Sequence, residues 1–218
     1  MRPIDPEQGT AREDLCRFLS ACYYQPGPEF AEEKVFDSML DAAARISPDL
    51  AARAGALGEE FGAEPPESLL ADYARLFLGP NHILAKPYGS VWLDDEKTLM
   101  LDSTMAVLEL YAEGGFEMDE GFRELPDHIA AELEFLYLLT YRENEAHRNG
   151  EPDARLAASS LKRRFLDRHL GRWIGPFTAA VKAGAQSGFY RQLAELTEGF
   201  VRMEASAIAW DGRSVGYP

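Results

Sequence analysis

The sequence lacks the features that mark membrane-spanning, secreted and disulfide-bonded proteins. It has no run of about 18 consecutive apolar residues, so no segment is predicted to span a membrane. The opening residues, MRPIDPEQGTARED, contain no apolar core of a secretory signal, which predicts a cytoplasmic protein. The only two cysteines, Cys16 and Cys22, fit neither a CxxC motif nor one helix face, so we expect two reduced, packed thiols.

Positive charge is also scarce. The chain has 22 Lys and Arg residues against 37 Asp and Glu residues, which gives a formal net charge of −15. Such a surface repels phosphate backbones, so nucleic acid is not an expected partner, whereas a basic peptide would be attracted. A solvated acidic surface accounts for the same charge without any ligand.

The motifs of common enzyme sites are missing as well. The sequence has no phosphate-binding GxxxxGK loop, no GxGxxG after a strand and no GxSxG elbow. His128 and Glu132 stand one helical turn apart, as metal ligands can, but the sequence places no third ligand beside them. We therefore expect neither a cofactor nor catalysis, and a metal-dependent hydrolase using His128 and Glu132 stays as an alternative.

Helical periodicity runs through the whole sequence. Apolar residues recur at helical spacing, and Pro48, Pro66 and Pro152 are placed to begin helices. A continuous pattern from Phe30 to Leu40 predicts one helix, and the segment from Pro126 to about Asn149 predicts a central one. No β alternation, linker or repeat appears. Residues 1–218 are thus predicted to form a single all-α domain, an irregular bundle of about eight to ten helices.

The segment 76–96, LFLGPNHILAKPYGSVWLDDE, is long for a loop in a helical domain. It concentrates large apolar groups, and Gly89 allows close approach of the backbone. We expect Phe77 to join the core. Tyr88 and Trp92 are better candidates for a groove, since aromatic anchors dominate peptide binding.

A second segment, ELPDHIAAE from Glu124 to Glu132, precedes and opens the central helix. Pro126 suits the first helical position, which places Asp127 and His128 in the first turn. Asp127 then either caps the helix or helps an acidic cluster to hold guanidinium groups. The other members of that cluster are Glu117, Asp119, Glu120 and Glu124. An apolar groove beside such a cluster complements arginines followed by apolar residues, the composition of twin-arginine signal peptides.

At these residues the sequence resembles the TorD/DmsD/NarJ family of redox-enzyme maturation chaperones, and most closely its DmsD-like branch. The matching runs are YARLFLGP, PYGSVWLDDE, LDSTMAVLELY, ELPDHIAAELEFLYLL, FLDRHLGRWIGPF and GFYRQLAELTEGF. The resemblance implies an all-helical cytosolic chaperone without enzymatic activity. Such a chaperone binds the twin-arginine leader, and often the body, of a molybdopterin oxidoreductase subunit and delays export until the cofactor is inserted.

The resemblance also implies a peptide-binding site. Its members here are Leu76, Phe77, Pro87, Tyr88, Gly89, Ser90, Trp92, Glu124, Pro126, Asp127 and His128. Transient association with the export machinery at the membrane is implied too, with the chaperone as a monomer or a dimer. Two alternatives concern the client: a nitrate-reductase-type enzyme that is never exported, or a folded partner bound without regard to a leader.

Overall fold

Helices dominate the computed structural model, which describes residues 5–79, 82–94, 102–118, 121 and 123–211. These residues contain no β-strand, and nine of their eleven helices have seven or more residues, which confirms the predicted all-α bundle. The elements are α1 (Pro6–Ala21), α2 (Glu29–Glu32), α3 (Val35–Ile46), α4 (Pro48–Ala63), α5 (Pro66–Tyr73), a π-helical turn (Ala74–Leu78), α6 (Ser90–Leu93), α7 (Asp102–Glu113), α8 (Ile129–Asn149), α9 (Pro152–Arg168), α10 (Leu170–Gly184) and α11 (Gly188–Asp211).

Local signals set most helix ends as predicted. Ser47 caps α4, because its hydroxyl accepts the backbone N–H of Leu50 at 3.2 Å, and Pro48 follows as the first helical residue. Proline likewise begins α5 and α9. Helix α8 ends at Asn149 and is capped by Gly150, whose positive φ of 70° suits a residue without a side chain.

Helix α8 lies at the centre of the fold, between α1 and α9, while α11 packs on α4 and α10. The core is one continuous cluster of buried apolar side chains. Phe77 belongs to it, as predicted, and its ring contacts those of Tyr23, Tyr73, Phe177 and Tyr190 at centroid distances of 5.4–6.3 Å. Phe77 therefore anchors the π-helical turn Ala74–Leu78 in the core.

The cysteines behave as small apolar groups. Cys16 and Cys22 are both free thiols and both buried, which confirms the expectation from their spacing. Across the described ranges, no helix is both long enough and apolar enough to cross a membrane.

Two predicted helix boundaries are wrong. The pattern from Phe30 to Leu40 is two helices, because Lys34 adopts a left-handed conformation (φ 51°) that ends α2 and lets α3 begin at Val35. The break turns Phe30 onto the rings of Phe36 and Phe61. Helix α8 begins at Ile129 rather than Pro126, because the preceding residues make hydrogen bonds to the segment 87–90 instead of continuing the helix.

A buried carboxylate fixes the end of the bundle next to α11. Asp72, on α5, is only 3% exposed, and its Oδ2 accepts hydrogen bonds from Gln186 N and from the N–H and hydroxyl of Ser187 at 2.8–3.0 Å. Its Oδ1 accepts from Arg75 at 2.5 Å. Asp72 thus satisfies the free N–H groups that precede α11 and ties α5 to the loop after α10.

We expect Asp72→Asn to lower the free energy of unfolding by about 1–3 kcal/mol, because charge-assisted bonds to several donors are weakened inside the protein. Urea denaturation followed by circular dichroism measures the change. The matched control is Glu67→Gln, an exposed carboxylate on the same helix, which should stay within about 0.5 kcal/mol of wild type. Equal stabilities for both variants would contradict this role of Asp72.

Candidate functional site

The two segments singled out in the sequence lie against each other. Tyr88 and His128 form an isolated antiparallel β-bridge. Gly89 N donates to the carbonyl oxygen of Asp127, and Ile129 N donates to that of Pro87, both at 2.8 Å. We call this pairing of residues 87–90 with residues 127–129 the junction, and it brings both predicted halves of the site together.

Asp127 is fully buried within the junction. Its Oδ2 accepts the backbone N–H of Ser90 at 2.7 Å, so it caps the first turn of α6 and not of α8 as expected. Its Oδ1 is buried without a hydrogen-bond partner among the described residues. Direct pairing of Asp127 with a ligand stays a prediction, and in this structure the carboxylate lies beneath the surface.

His128 caps α8 and is held neutral. Its Nδ1 accepts the backbone N–H of Ala130 at 3.2 Å, and the side chain is 4% exposed. Burial lowers the pKa of His128 to about 4, although the carboxylates of Glu124 and Asp127 oppose that shift. Near neutral pH the imidazole therefore carries no charge.

A buried polar cluster that the sequence did not reveal lies beneath Gly89. Glu132 Oε1 lies 2.9 Å from His169 Nδ1, and Trp173 Nε1 donates to Glu132 Oε2 at 3.0 Å. His169 Nε2 lies 3.1 Å from the carbonyl oxygen of Ser103. The four-residue spacing of His169 and Trp173 near the start of α10 was the available signal, since it places both on one side of a helix.

This cluster uses the carboxylate that the hydrolase alternative assigned to a metal. Glu132 Oε2 accepts a hydrogen bond from Trp173, and Oε1 lies at ion-pair distance from His169. Within the described ranges, no three His, Cys, Asp or Glu side chains are grouped as metal ligands would be. Glu132 acts instead as a buried acceptor.

The charges of this cluster depend on each other. Burial raises the pKa of Glu132, against the opposing effect of His169. For His169 burial alone would lower the pKa, but the Glu132 carboxylate and the Ser103 carbonyl outweigh burial and raise it. The proton on His169 is thus held more tightly in the folded protein than in the unfolded chain.

Gly89 is the point of closest approach between the junction and this cluster. A Cβ atom at Gly89 would lie 2.9 Å from Trp173 Nε1, 3.0 Å from Glu132 Oε1 and 3.0 Å from His169 Cε1. Real Cβ atoms avoid such distances, so only glycine fits without movement of buried groups. The predicted close backbone approach at Gly89 is confirmed.

Some of the remaining predicted residues are buried beneath the site, and others lie at or near the surface. The buried ones are Leu76, Phe77, Pro87 and Ser90. Trp92 is half-buried: its Nε1 donates to the Lys86 carbonyl at 3.0 Å and its ring meets Phe177 edge-on at 6.5 Å. Pro126 is half-buried and Glu124 is exposed. Of the acidic cluster, Glu117 is exposed, while Asp119 and Glu120 lie outside the described residues.

At the surface of the junction, two tyrosine rings contact the His128 ring. The Tyr88 ring meets it edge-on at 5.4 Å, and the Tyr88 hydroxyl donates to Glu124 Oε2 at 2.5 Å. The Tyr24 ring stacks on it at 6.4 Å, and the Tyr24 hydroxyl donates to Glu134 Oε1 at 3.0 Å. The sequence did not point to Tyr24 or Glu134. We call these five residues the tyrosine–glutamate patch.

Comparison with known proteins agrees with the predicted family. Residues 41–179 match the family described as nitrate reductase delta subunit. The chain belongs to this family. The family is that of TorD and NarJ, so the membership inferred from the motifs is confirmed.

Named members of the family are similar over part of their length. A chaperone protein TorD of Vibrio parahaemolyticus is 29% identical over 141 residues, which cover 64% of this chain and 64% of that protein. A Tat proofreading chaperone DmsD of Salmonella typhimurium is 32% identical over 136 residues, or 62% of this chain and 60% of that protein. The match thus spans less than two thirds of either relative.

A crystal structure of a proposed redox enzyme maturation protein from Archaeoglobus fulgidus can also be superposed on this chain. The superposition covers 91% of this chain and 93% of the other, with a TM-score of 0.48 and 20% sequence identity.

In this family member, Gly89→Ala is expected to lower the free energy of unfolding by about 1–3 kcal/mol, because the added methyl group overpacks the Glu132–His169–Trp173 cluster. The matched control is Gly62→Ala on α4, where the structure leaves at least 4 Å free around a Cβ. That substitution should stabilise by up to about 1 kcal/mol, since alanine favours the helix. Chemical denaturation of both variants measures the contrast, and similar effects at the two glycines would refute the close contact.

The stability of the protein should decrease as the pH rises above 6.5, the ordinary pKa of histidine. Because the pKa of His169 is raised by folding, its stabilising effect is complete below that value and is lost as the pH passes the folded-state pKa. The raised pKa of Glu132 acts in the same direction. Urea denaturation over a pH series measures this, with the double variant Glu132→Gln/His169→Gln as the control. Parallel pH curves for the two proteins would show that the cluster does not titrate.

Proposed function

We propose that the chain is a cytoplasmic chaperone that binds the twin-arginine leader of a molybdopterin oxidoreductase subunit. By holding the leader, and the body of the subunit behind it, the chaperone would delay export until the cofactor is inserted. Family membership and the names of the relatives, chaperones TorD and DmsD, support this class of function. The tyrosine–glutamate patch is the surface we assign to the leader.

The observation that carries the proposal is the state of Glu124. Its carboxylate is exposed and oriented by the Tyr88 hydroxyl, and no described residue forms an ion pair with it. Beside it lies His128, which is neutral and so supplies no positive charge. An exposed carboxylate next to aromatic rings suits a guanidinium group, which forms bidentate hydrogen bonds and also stacks on ring faces.

Apolar groups next to the patch suit the residues that follow the arginines in such a leader. Leu125, adjacent to Glu124, is 52% exposed, and Val91, one turn after Tyr88, is 36% exposed. Trp92 is half-buried beside Val91. Exposed leucine and valine side chains beside an aromatic anchor provide the apolar half of a peptide site.

Asp127 has a positioning role in this proposal. Its carboxylate fixes Ser90 and its carbonyl oxygen fixes Gly89, so it holds Tyr88 opposite Glu124 without reaching the surface. Leu76 and Phe77 support the same arrangement from the core. The exposed Glu124 and the half-buried Tyr88 are therefore the residues we assign to contact with the leader.

The description of the family favours a second client class. It refers to a nitrate reductase subunit, and an enzyme that stays in the cytoplasm needs no leader. In that case the chaperone would recognise the body of its client. Co-purification with a client that lacks its leader distinguishes the two: retained binding favours recognition of the body, and lost binding favours the leader.

Isothermal titration calorimetry with a synthetic peptide of two arginines followed by apolar residues tests the leader site. We expect a Kd of about micromolar order at low salt that rises with ionic strength. Glu124→Gln should weaken binding about tenfold, the effect of losing one charge-assisted contact. Tyr88→Phe, which keeps the ring but removes the hydroxyl that orients Glu124, should have a smaller effect.

The control for this experiment is Glu67→Gln, which removes an exposed carboxylate on α5 and should leave the Kd unchanged. A peptide with both arginines replaced by glutamine should bind at least tenfold more weakly, by the same reasoning. If the wild-type protein binds both peptides equally at every salt concentration, leader recognition at this patch is wrong.

A further inference from the structure

The patch contains two similar halves that share His128, each made of a tyrosine and a glutamate. In each half a tyrosine ring faces the imidazole and its hydroxyl donates to a glutamate, Tyr88 to Glu124 and Tyr24 to Glu134. The two halves come from distant parts of the chain: the segment around the junction supplies one, whereas Tyr24 follows α1 and Glu134 lies on α8. The duplication is therefore a product of the fold.

Negative charge accumulates around His128 without compensation. Among the described residues, no Lys, Arg or His forms an ion pair with Glu124, Glu134 or Asp127, and Asp127 is fully buried with Oδ1 lacking a hydrogen bond. The exposed Glu124 and the half-buried Glu134 are available for charge-assisted hydrogen bonds, and a ligand with two positive charges would form one with each.

Each glutamate retains an oxygen that is suited to accept from such a ligand. Tyr24 and Ser20 both donate to Oε1 of Glu134, at 3.0 and 3.2 Å, and Tyr88 donates to Oε2 of Glu124. Neither Oε2 of Glu134 nor Oε1 of Glu124 has a hydrogen bond within the described residues. The hydroxyl groups thus fix each carboxylate and leave its second oxygen for a donor.

Elsewhere in the chain, an arginine lies over the ring of a tyrosine that is hydrogen-bonded to a glutamate. Further along α8, the Tyr141 hydroxyl donates to Glu145 at 3.1 Å, and the Arg148 guanidinium carbon lies 6.0 Å from the centre of the Tyr141 ring. Over Tyr24 and Tyr88 no cation lies at such a distance in the described part of the chain. The Tyr24 and Tyr88 rings thus lack the arginine that lies over the Tyr141 ring and that forms its ion pair with Glu13.

We propose that Tyr24 and Glu134 form a second guanidinium subsite, so that the patch binds two neighbouring arginines of one peptide, one at each tyrosine–glutamate pair. The inference rests on the proposed function and assigns a separate binding subsite to the second arginine. Two separate carboxylates, each fixed by a tyrosine hydroxyl, match the two guanidinium groups of such a peptide.

The test crosses protein variants with peptide variants. Wild type, Glu124→Gln and Glu134→Gln are titrated with the twin-arginine peptide and with two peptides in which only the first or only the second arginine is glutamine. Each protein variant should bind the twin-arginine peptide about tenfold more weakly than wild type. Glu124→Gln should not weaken binding of the peptide that lacks the arginine bound by Glu124, but it should still weaken binding of the other singly substituted peptide. For Glu134→Gln the two peptides should exchange these roles.

The matched control is Glu145→Gln, which breaks a tyrosine–glutamate pair on the same helix away from His128 and should not change the Kd. Tyr24→Phe, with its ring retained, should weaken binding about twofold to fivefold by leaving Glu134 less well oriented. This variant provides the same test if Glu134→Gln fails to fold.

The outcomes separate this inference from the proposed function. If Glu124→Gln weakens binding while Glu134→Gln and Tyr24→Phe bind as wild type, the second subsite is wrong and the leader function stands. If both glutamate variants lose their effect with the same singly substituted peptide, the one-to-one assignment is wrong. If the wild-type protein binds the twin-arginine peptide and the peptide with two glutamines with equal Kd, both proposals are wrong.

Discussion

The site depends on the close contact between Gly89 and the buried Glu132–His169–Trp173 cluster. Backbone hydrogen bonds at 2.8 Å fix the chain on both sides of that contact, and the space a side chain would need is filled by Trp173 and Glu132. The depth of residue 89 sets the position of Tyr88 immediately before it. Because Tyr88 in turn orients Glu124, the geometry of the surface depends on packing beneath it.

The buried carboxylate beneath this contact and the carboxylates of the patch differ in whether a cation lies beside them. Below it, the Glu132 carboxylate meets a histidine and an indole N–H, so a costly buried charge is compensated. Above it, Glu124 and Glu134 are satisfied only by neutral hydroxyls. A protein that needed these carboxylates for stability alone would gain from cations beside them, as Asp72 does from Arg75. Under the proposed function, the arginines of the leader would supply those cations.

The sequence predicted features that depend on local chemistry and missed those that depend on distant contacts. Ser47 with Pro48 announced a helix start, and the aromatic spacing before Gly79 placed Phe77 in the core. In contrast, the start of α8 at Ile129 is decided by hydrogen bonds to a segment about 40 residues earlier. Tyr24 and Glu134 are ordinary surface residues in the sequence, and only folding brings them to His128.

His128 links the two halves of the patch because it is buried. An exposed imidazole would be partly protonated near neutral pH and would repel a guanidinium group. Burial lowers its pKa to about 4, and the bond from Ala130 N occupies Nδ1, so the ring is neutral where it contacts the two tyrosines. The same bond begins α8, which carries Glu134 little more than one turn later. One side chain thus sets the helix start, the neutrality of the ring and the position of the second carboxylate.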